Sequence, residues 1–384
     1  MSTAASFILP PLTEIAIGAE GGMHWAAELR GGRVWGVHWQ DTRAPDPTGG
    51  LWRVRVRRLA PDRRGAIVSL GGQDGEGFLD LSSVKSTPHE GQALVAQVTR
   101  AASSGKRLTL SPEPRLAGRY LVYSPERPGV AVSRQWRDKA SAARWQAIAR
   151  GMATPDEGIV VRAAAQILAD EAVLASELAR LRQAWASALA KPEPGQVLPP
   201  PGLVQTLLTE RAGTAPLTFS TDEPLLEPLL RGAIGDLTPP EDIRMTRERG
   251  GWRIRCGAAE AFDCAAVSEV PLDGGGRIWL ERTRACWTVD VDSAGSASDR
   301  QSLNCAAAIE LGRQLRIRNA SGPIVADFLR LPDRQSQAVV INALRAAFAE
   351  DRAHVRFNER FDPLGLYTFS RQRIGPELPV MEWS

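Results

Sequence analysis

The sequence predicts a mixed α/β protein of several domains, and three observations indicate this. Two short apolar runs that each carry an aspartate flank a stretch with helical spacing in the last third of the chain. Five short alternating runs lie close together between residues 51 and 115. A proline-rich segment at 191–202 cannot continue a helix and marks a boundary. A chain of 384 residues can bury a sizeable core in two or three domains.

The two aspartates, Asp290 and Asp327, are predicted to meet at neighbouring strands. Residues 302–318 between them carry apolar side chains at helical spacing, and 319–322 read as a helix stop. A crossover of this length favours parallel strands, whose paired ends lie about 4.8 Å apart. Both carboxylates can then face one divalent cation. The alternative for each is a capping role in a turn, through bonds to backbone amides.

Composition excludes several classes of protein. No apolar run approaches the roughly 20 residues of a membrane helix, and the N-terminus lacks the features of a signal peptide, so a cytoplasmic location is expected. The four cysteines form no Cys-x-x-Cys pair, which argues for free thiols rather than zinc ligands or disulfides. The four histidines form no motif typical of a triad or a zinc site.

An arginine-rich region predicts a small barrel that binds a polyanion. Its alternating runs are Leu51–Leu59, Gly65–Leu70, Gly77–Leu81, Ala93–Val98 and Arg107–Leu110. Five short strands with Gly-rich turns fit an OB-fold, which commonly binds oligonucleotides. Its candidate contacts to an oligonucleotide are Phe78, Lys106, Arg55 and Arg57. The alternatives are a solvated strand face for the arginines and a core position for Phe78. A phosphate-binding loop at 104–106 is excluded because Arg100 replaces the required glycine.

Residues 116–195 predict a second module. Strands are expected at Tyr120–Tyr123 and Gly158–Arg162, followed by a long helix from about Ala164 to Ala190. After the proline-rich linker, the predicted elements are helices near Leu203–Glu210 and Pro224–Ile234 and strands at Trp252–Arg255 and Ile278–Leu280. From about residue 269 the order is strand, helix, strand, helix, which indicates an α/β layer.

Four ordered motifs in the last third resemble those of the ribonuclease E/G endoribonucleases. They are Thr288–Ser293, Gly312–Arg318, Ile324–Phe328 and Ser370–Arg373. Further upstream, Gly77–Leu79 and Leu116–Val122 stand where that family has its OB-fold and its 5′-end sensor. The resemblance covers most of the chain.

The resemblance implies a fold class of α/β, in the sense of an α+β multidomain chain. Its five segments would be 1–50 and 196–268 for a ribonuclease-H-like domain, 51–115 for the inserted OB-fold, 116–195 for the 5′ sensor, and 269–384 for a deoxyribonuclease-I-like catalytic domain. Asp290 and Asp327 would hold Mg²⁺, which takes one or two carboxylates together with waters and substrate phosphate. Gly118, Val122 and Arg162 would bind the 5′-monophosphate. The alternative for Arg162 is a structural salt bridge.

Several residues depart from the family pattern. Asp292, beside Asp290, replaces the usual asparagine and adds a third candidate catalytic carboxylate. Arg284 and Arg330 replace acidic residues. Ala163 replaces a threonine of the sensor, which predicts a weaker preference for 5′-monophosphorylated RNA. Ile67 replaces an aromatic residue beside Phe78, so binding is expected to depend more on the arginines and on salt.

The family's Cys-Pro-x-Cys zinc link does not occur before the last residue, Ser384. No zinc, no zinc-linked dimer and no scaffold tail for degradosome partners are therefore expected, and the protein is expected to be a monomer or a dimer formed without zinc. The function predicted is Mg²⁺-dependent cleavage of single-stranded regions of RNA in processing or decay. A catalytically weak RNA-binding or ribosome-assembly protein, and a phosphoesterase for small molecules, are the alternatives.

Overall fold

A computed structural model describes the chain from residue 9, apart from residues 73–74, 83, 85, 103–105, 135, 137, 212–216, 236–242, 248–255, 376 and 379–384. The chain divides into two compact units. The first takes residues up to Trp39, Thr218–Glu227 and the chain from Met245. The second takes Gln40–Leu217 and Pro228–Arg244.

The described strands are β1 (Leu12–Glu20), β2 (Met23–Arg30), β3 (Arg33–Asp41), β4 (Leu51–Leu59), β5 (Gly65–Ser69), β6 (Glu76–Asp80), β7 (Ala93–Arg100), β8 (Leu108–Ser111), β9 (Leu116–Ala117), β10 (Leu121–Ser124), β11 (Gly129–Val132), β12 (Gly158–Val161), β13 (Gly195–Leu198), β14 (Leu217–Thr221), β15 (Ile243–Arg247), β16 (Glu269–Pro271), β17 (Arg277–Arg282), β18 (Trp287–Asp292), β19 (Gly322–Asp327), β20 (Val355–Phe357) and β21 (Leu366–Arg371). The described α-helices are α1 (Lys139–Met152), α2 (Glu171–Leu189), α3 (Leu203–Arg211), α4 (Glu227–Gly235), α5 (Ala258–Ala266), α6 (Arg300–Ile317) and α7 (Arg334–Ala347).

The first unit contains two sheets. One has the order β15-β14-β1-β2-β3, in which β1 pairs with β2 in antiparallel and with β14 in parallel orientation. Tight turns at Gly21–Gly22 and Gly31–Gly32 join β1 to β2 and β2 to β3, and all four glycines have positive φ, which favours this residue. The other sheet has the order β16-β17-β18-β19-β21-β20.

The crossover predicted in the last third is confirmed. β18 and β19 pair in parallel, and α6 connects them. The predicted apolar stripe of α6, Leu303, Ala307, Leu311 and Leu315, is buried in one core with α7 and the β16–β21 sheet. Asp299 caps the helix by accepting the Ser302 N–H, and Asn319 ends it at φ +46°, as the stop signal indicated.

The second unit contains the predicted five-stranded barrel. β4, β5, β6, β8 and β7 follow one another, and pairing of β4 with β7 closes the ring. Each strand lies within two residues of its predicted bounds at either end. Its core consists of alternate side chains such as Val54, Val56, Val68 and Leu79. β13 extends the sheet beside β4.

The module after the barrel is a sheet of order β11-β12-β10-β9 that packs on α1 and α2. The prediction of one helix from Ala164 was wrong. Ala163–Ile167 forms a separate 3₁₀ turn, and α2 begins at Glu171 because Asp170 accepts the Ala172 N–H as an N-cap. Helix α1, capped by Asp138, was not predicted.

The strand expected at Trp252–Arg255 and residues 104–105 of the excluded phosphate loop lie outside the described residues. Within the part of the chain that the structure describes, no helix is long and apolar enough to cross a membrane. All four cysteines are described and free, and burial raises the pKa of the Cys305 thiol to about 11.

Candidate active site

The two sequence-predicted aspartates stand side by side. Asp290 of β18 is the direct register partner of Asp327 of β19. Val289 and Val291 are buried in the core below, so the alternation of the strand turns Asp290 to the opposite, exposed face. Asp327 is exposed on the same side of its strand, beside buried Ala326. The pair therefore forms one small carboxylate site on the open face of the sheet.

Electrostatics at this site favour a cation. Desolvation, followed by the charges of Asp327 and Asp292, raises the pKa of Asp290 above its ordinary value. Among the described residues, neither Asp290 nor Asp327 forms an ion pair that would offset the repulsion. No group of three or more His, Cys, Asp or Glu side chains that could hold a metal is found in that part of the chain. Two unneutralised carboxylates suit Mg²⁺, which completes its shell with water and phosphate oxygens.

Asp292 is held differently from the pair. Its Oδ1 accepts the Ala294 N–H at 2.9 Å, and its Oδ2 lies 3.5 Å from the Nε of Arg277. Arg277 also forms an ion pair with Glu269. The turn-capping role considered for the aspartates thus applies to Asp292, whose charge still acts on Asp290.

A buried amide fixes the end of β19. Asn304 of α6 is fully buried, donates to the Leu329 carbonyl at 2.7 Å and accepts the Leu329 N–H at 3.0 Å. These two bonds hold the backbone two residues after Asp327 to the crossover helix. The position of Asp327 is therefore set both by the sheet and by α6.

Arg330 and Arg284, which the resemblance implies replace acidic residues, are both exposed. Arg330 lines an open cavity of about 380 Å³, and Arg284 lies in the turn between β17 and β18. The cavity is lined by Ser293, Ser296, Ser298, Arg300, Leu329 and Arg330. The hydroxyls of Ser296 and Ser298 donate to the Gly274 carbonyl, so two of its polar groups already have acceptors.

The outer face of the barrel carries three of the predicted RNA contacts, Phe78, Arg55 and Arg57. Ile67 pairs directly with Phe78, and Arg55 pairs with Ser69 on the same outward side of neighbouring strands. The Phe78 ring lies across Gly65, where an added Cβ would come within 2.2 Å of the ring, and the residue keeps 36% of its surface exposed. Arg57 is exposed on the same side as Arg55, as strand alternation requires, and it lies at a β-bulge between Val56 and Arg58. Lys106, just before β8, is exposed.

The three predicted sensor residues are also neighbours. Gly118 follows Ala117, which pairs with Val122, and Arg162 donates to the Gly118 carbonyl at 2.6 Å. Burial lowers the pKa of Arg162, with Glu210 and Glu177 acting in the opposite direction. The guanidinium of Arg162 thus has a backbone acceptor at Gly118 and two carboxylates, Glu210 and Glu177, that act on its charge. Ala163 follows directly and offers no side-chain donor.

Comparison with known proteins decides the family. The model of the ribonuclease E/G family matches residues 115–374, about two thirds of the chain. The chain belongs to the ribonuclease E/G family. It is 25% identical to ribonuclease G of Escherichia coli strain K12 over 385 residues, covering 90% of this chain and 77% of that protein. Ribonuclease G of Salmonella typhimurium is 24% identical with the same coverage. Ribonuclease E of Nostoc sp. strain PCC 7120 is 26% identical, with 86% of this chain and 52% of that protein covered.

Two motifs that carried the resemblance to the ribonuclease E/G family are structural in this chain. Residues 312–318 are buried along α6, where Arg313 bonds Glu310 and the Val34 carbonyl. Arg371 is 3% exposed, and its guanidinium binds both carboxylate oxygens of Asp351 and the Ala320 carbonyl. These arginines connect packed elements rather than facing the aspartate pair.

Sequence reasoning missed two buried polar residues of this ribonuclease E/G chain. Glu177 accepts the N–H groups of Arg119, Tyr120 and Leu121 at 2.6–2.9 Å, which orders the segment beside Gly118. A Cβ at Gly118 would come within 2.4 Å of the Glu177 carboxylate, so only glycine fits. One sequence signal could have indicated that Glu177 and Asn304 are buried. Each stands next to a leucine on the buried stripe of its helix.

Proposed function

We propose that this protein is a magnesium-dependent endoribonuclease that hydrolyses phosphodiester bonds in single-stranded regions of RNA, in RNA processing or decay. The observation that carries the proposal is the direct pairing of Asp290 with Asp327, without an ion pair to either among the described residues, in a chain of the ribonuclease E/G family. Ribonuclease G and ribonuclease E are the names of its relatives.

Asp290 and Asp327 would hold the cation, and Asp292 would add negative potential from its place beside Arg277. A bound Mg²⁺ supplies a water of lowered pKa and neutralises charge at the scissile phosphate. The two carboxylates are held in place because their strands pair in register and Asn304 bonds the backbone after the end of β19. No zinc is part of the proposal.

The barrel face would bind the RNA strand. Phe78 offers a ring for stacking, while Arg55, Arg57 and Lys106 offer exposed positive charge for phosphates. The domains would have the roles that the family resemblance implies, with catalysis in the last of the five segments 1–50, 51–115, 116–195, 196–268 and 269–384. A cytoplasmic enzyme that is a monomer, or a dimer formed without zinc, completes the proposal.

The segment around Gly118, Val122 and Arg162 would hold the 5′ end of the RNA. Part of the Arg162 guanidinium is already bonded to the Gly118 carbonyl, and Ala163 lacks a hydroxyl, so discrimination is expected to be weak. Cleavage rates of one RNA with a 5′-monophosphate and with a 5′-hydroxyl should differ by less than about tenfold. A large preference for the phosphate form would contradict this expectation.

Cleavage of an unstructured RNA with Mg²⁺ tests the proposed function. The wild type should cut, leaving 5′-phosphate products, and Asp290→Asn and Asp327→Asn should each reduce kcat by at least about 100-fold. Gln301→Ala, a change to a half-buried side chain in the first turn of α6, is the matched control and should keep full activity. Equal cleavage by all four proteins would sink the catalytic proposal and indicate a contaminating nuclease.

A second candidate function is RNA binding or ribosome assembly without efficient cleavage. The observation that favours it is the ion pair of Arg277 with Asp292, together with exposed Arg330 three residues after Asp327 and exposed Arg284 in the turn before β18. Tight RNA binding without Mg²⁺-dependent cleavage in the wild type would select this alternative. Replacing Arg330 by Asp, the acidic residue type of the family, should then raise cleavage.

A further inference from the structure

An exposed tryptophan stands beside the aspartate pair. Trp279 of β17 is the direct register partner of Asp290 across the antiparallel β17–β18 ladder. Its neighbours Ile278 and Leu280 are buried in the core, at 0% and 3% exposure, so alternation turns the indole to the face that carries Asp290. Directly opposed side chains on such strands have Cβ atoms about 4.5–5.5 Å apart.

The Trp279 side chain has unused binding capacity. It is 37% exposed, and only one other aromatic side chain in the described part of the chain, Phe78, is comparably exposed. Within that part, the indole makes no hydrogen bond, ring stack or cation–π contact. Other tryptophans of the same unit are engaged: Trp25 packs edge-on against Phe262, and Arg282 lies over Trp287 at 5.7 Å.

Charges around the indole select the kind of ligand. Asp290 and Asp327 lie in register on one side of Trp279, and Glu269 pairs with it on the other. Glu269 and Asp292 already share Arg277. These carboxylates would repel a phosphate group placed on the indole. They would not repel an uncharged aromatic base. The base of a nucleotide whose phosphate sits at the aspartate pair is attached through one ribose and can reach the neighbouring strand.

We propose that Trp279 is a base-stacking subsite, which holds the nucleobase of a nucleotide adjacent to the scissile phosphate. This inference rests on the proposed function, since it takes the aspartate pair as the position of that phosphate. Stacking on the indole orients the strand across the pair and gives the site a preference for bases with a large aromatic surface, purines above pyrimidines. Trp279 is thus a specificity-determining residue.

The test compares Trp279→Val, which fits a strand but lacks the ring, with Trp279→Phe, which keeps a ring. The substrates are a single-stranded RNA with one mapped cleavage site and two versions with an abasic ribose on either side of the scissile bond. Trp279→Val should lower kcat/KM on intact RNA by roughly 5- to 150-fold, and Trp279→Phe by less. One of the two abasic substrates should lower kcat/KM of the wild type by a similar factor. The same substrate should leave kcat/KM of Trp279→Val almost unchanged from its value on intact RNA.

Controls separate this inference from the proposed function. Leu225→Ala, which removes another exposed apolar side chain, should match the wild type on every RNA. The inference is overturned, while the proposed function stands, if Asp327→Asn is inactive but Trp279→Val cleaves as fast as the wild type. It is also overturned if the abasic substitutions lower kcat/KM equally in the wild type and in Trp279→Val. Dissociation constants for intact and abasic RNA, measured in the Asp327→Asn background, test the stacking even if cleavage is absent, and unchanged binding by Trp279→Val would overturn it.

Discussion

At the scale of single residues, the aspartate pair carries unfavourable charge repulsion in the metal-free protein. The pKa of Asp290 is raised by desolvation and by the two neighbouring carboxylates, so its ionisation is less favourable in the folded than in the unfolded chain. That penalty is absent below the ordinary pKa of an aspartate and grows as the pH rises through the raised value. The penalty is complete above the raised value.

Asp327→Asn should therefore keep or slightly raise the thermal stability of the metal-free protein. Loss of one repelling charge predicts a Tm unchanged or higher by up to about 2 °C at pH 7, and no difference near pH 3. Added Mg²⁺ should raise the Tm of the wild type but not that of the variant. Thermal unfolding in EDTA and in millimolar Mg²⁺ measures both effects. A clear loss of stability in EDTA would show that Asp327 has a structural partner instead.

Asn304 gives a second prediction at this scale. Asn304→Leu keeps the side-chain size but removes both partners of the half-buried Leu329 backbone, at its N–H and its C=O. A buried group left unpaired costs about 1–3 kcal/mol, so a loss of roughly 1–3 kcal/mol in total is expected in urea unfolding for these two partly exposed groups. Gln301→Ala should change stability by less than about 0.5 kcal/mol. A loss below about 1 kcal/mol in Asn304→Leu would argue that β19 is held by the sheet alone.

At the scale of elements, the close approach of α6 and α7 positions the crossover under the sheet. A Cβ added to Gly312 would lie 2.5 Å from the Cβ of Ala347, so the two helices meet at a pair of small residues. Both helices bury side chains in the core beneath β18 and β19. Their spacing thus bears on the position of the aspartate pair above.

Gly312→Ala should destabilise the protein by about 1–3 kcal/mol because it overpacks this contact. Ala347→Gly vacates the opposing methyl group, so the double variant should recover part of the loss. A double-mutant cycle in urea unfolding measures the coupling, expected at about 0.5–3 kcal/mol. Strictly additive effects would contradict the direct contact.

The sequence predicted elements well where local signals agree with packing. The barrel strands alternate cleanly because one side faces a closed core, and α6 has a cap, an apolar stripe and a stop. Helix α2 was predicted seven residues too long at its start, because alanines at 163–165 have helical propensity but Asp170 caps a later turn. Helix α1 was missed since only Trp145 and Ala149 of its residues are buried, which leaves a weak apolar stripe.

The candidate site was partly predictable for a related reason. Asp290 and Asp327 could be placed from strand order and crossover length, because two paired parallel strands have their carboxyl ends at the same edge of the sheet. Trp279 and Asn304 could not, since their roles depend on register with a neighbouring strand and on a contact from helix to loop. No local pattern specifies Trp279, and the place of Asn304 beside Leu303 indicates burial of its amide but not its partner.

At the scale of the whole molecule, the two compact units separate the candidate surfaces. The second unit contains the barrel and the 116–195 module, joined in one core that includes Leu51, Val95, Leu121 and Leu178. The first contains the aspartate pair. A fragment of residues 40–211 should therefore fold and bind single-stranded RNA but not cleave it.

Salt dependence provides the measurement for this fragment. Replacing Arg55 and Arg57 by Ala should reduce the slope of log affinity against log salt by about 1.4, at roughly 0.7 per phosphate contact. Phe78→Ala should weaken binding at every salt concentration without changing the slope. A circular dichroism spectrum of an unfolded chain would contradict independent folding of the fragment. RNA affinity that does not depend on salt would contradict binding through these arginines.

The pairing of β1 with β14 has a consequence for how the chain folds as it is made. Strands β1–β3 can form a meander early, but the partner of β1 lies beyond residues 40–217. At about 5–20 residues per second, synthesis of that interval takes roughly 9–36 s. Throughout that time β1 presents an unpaired edge, which is the kind of surface that recruits other strands. The nascent chain therefore depends on rapid folding of the second unit, or on a chaperone, until β14 is made and can pair with β1.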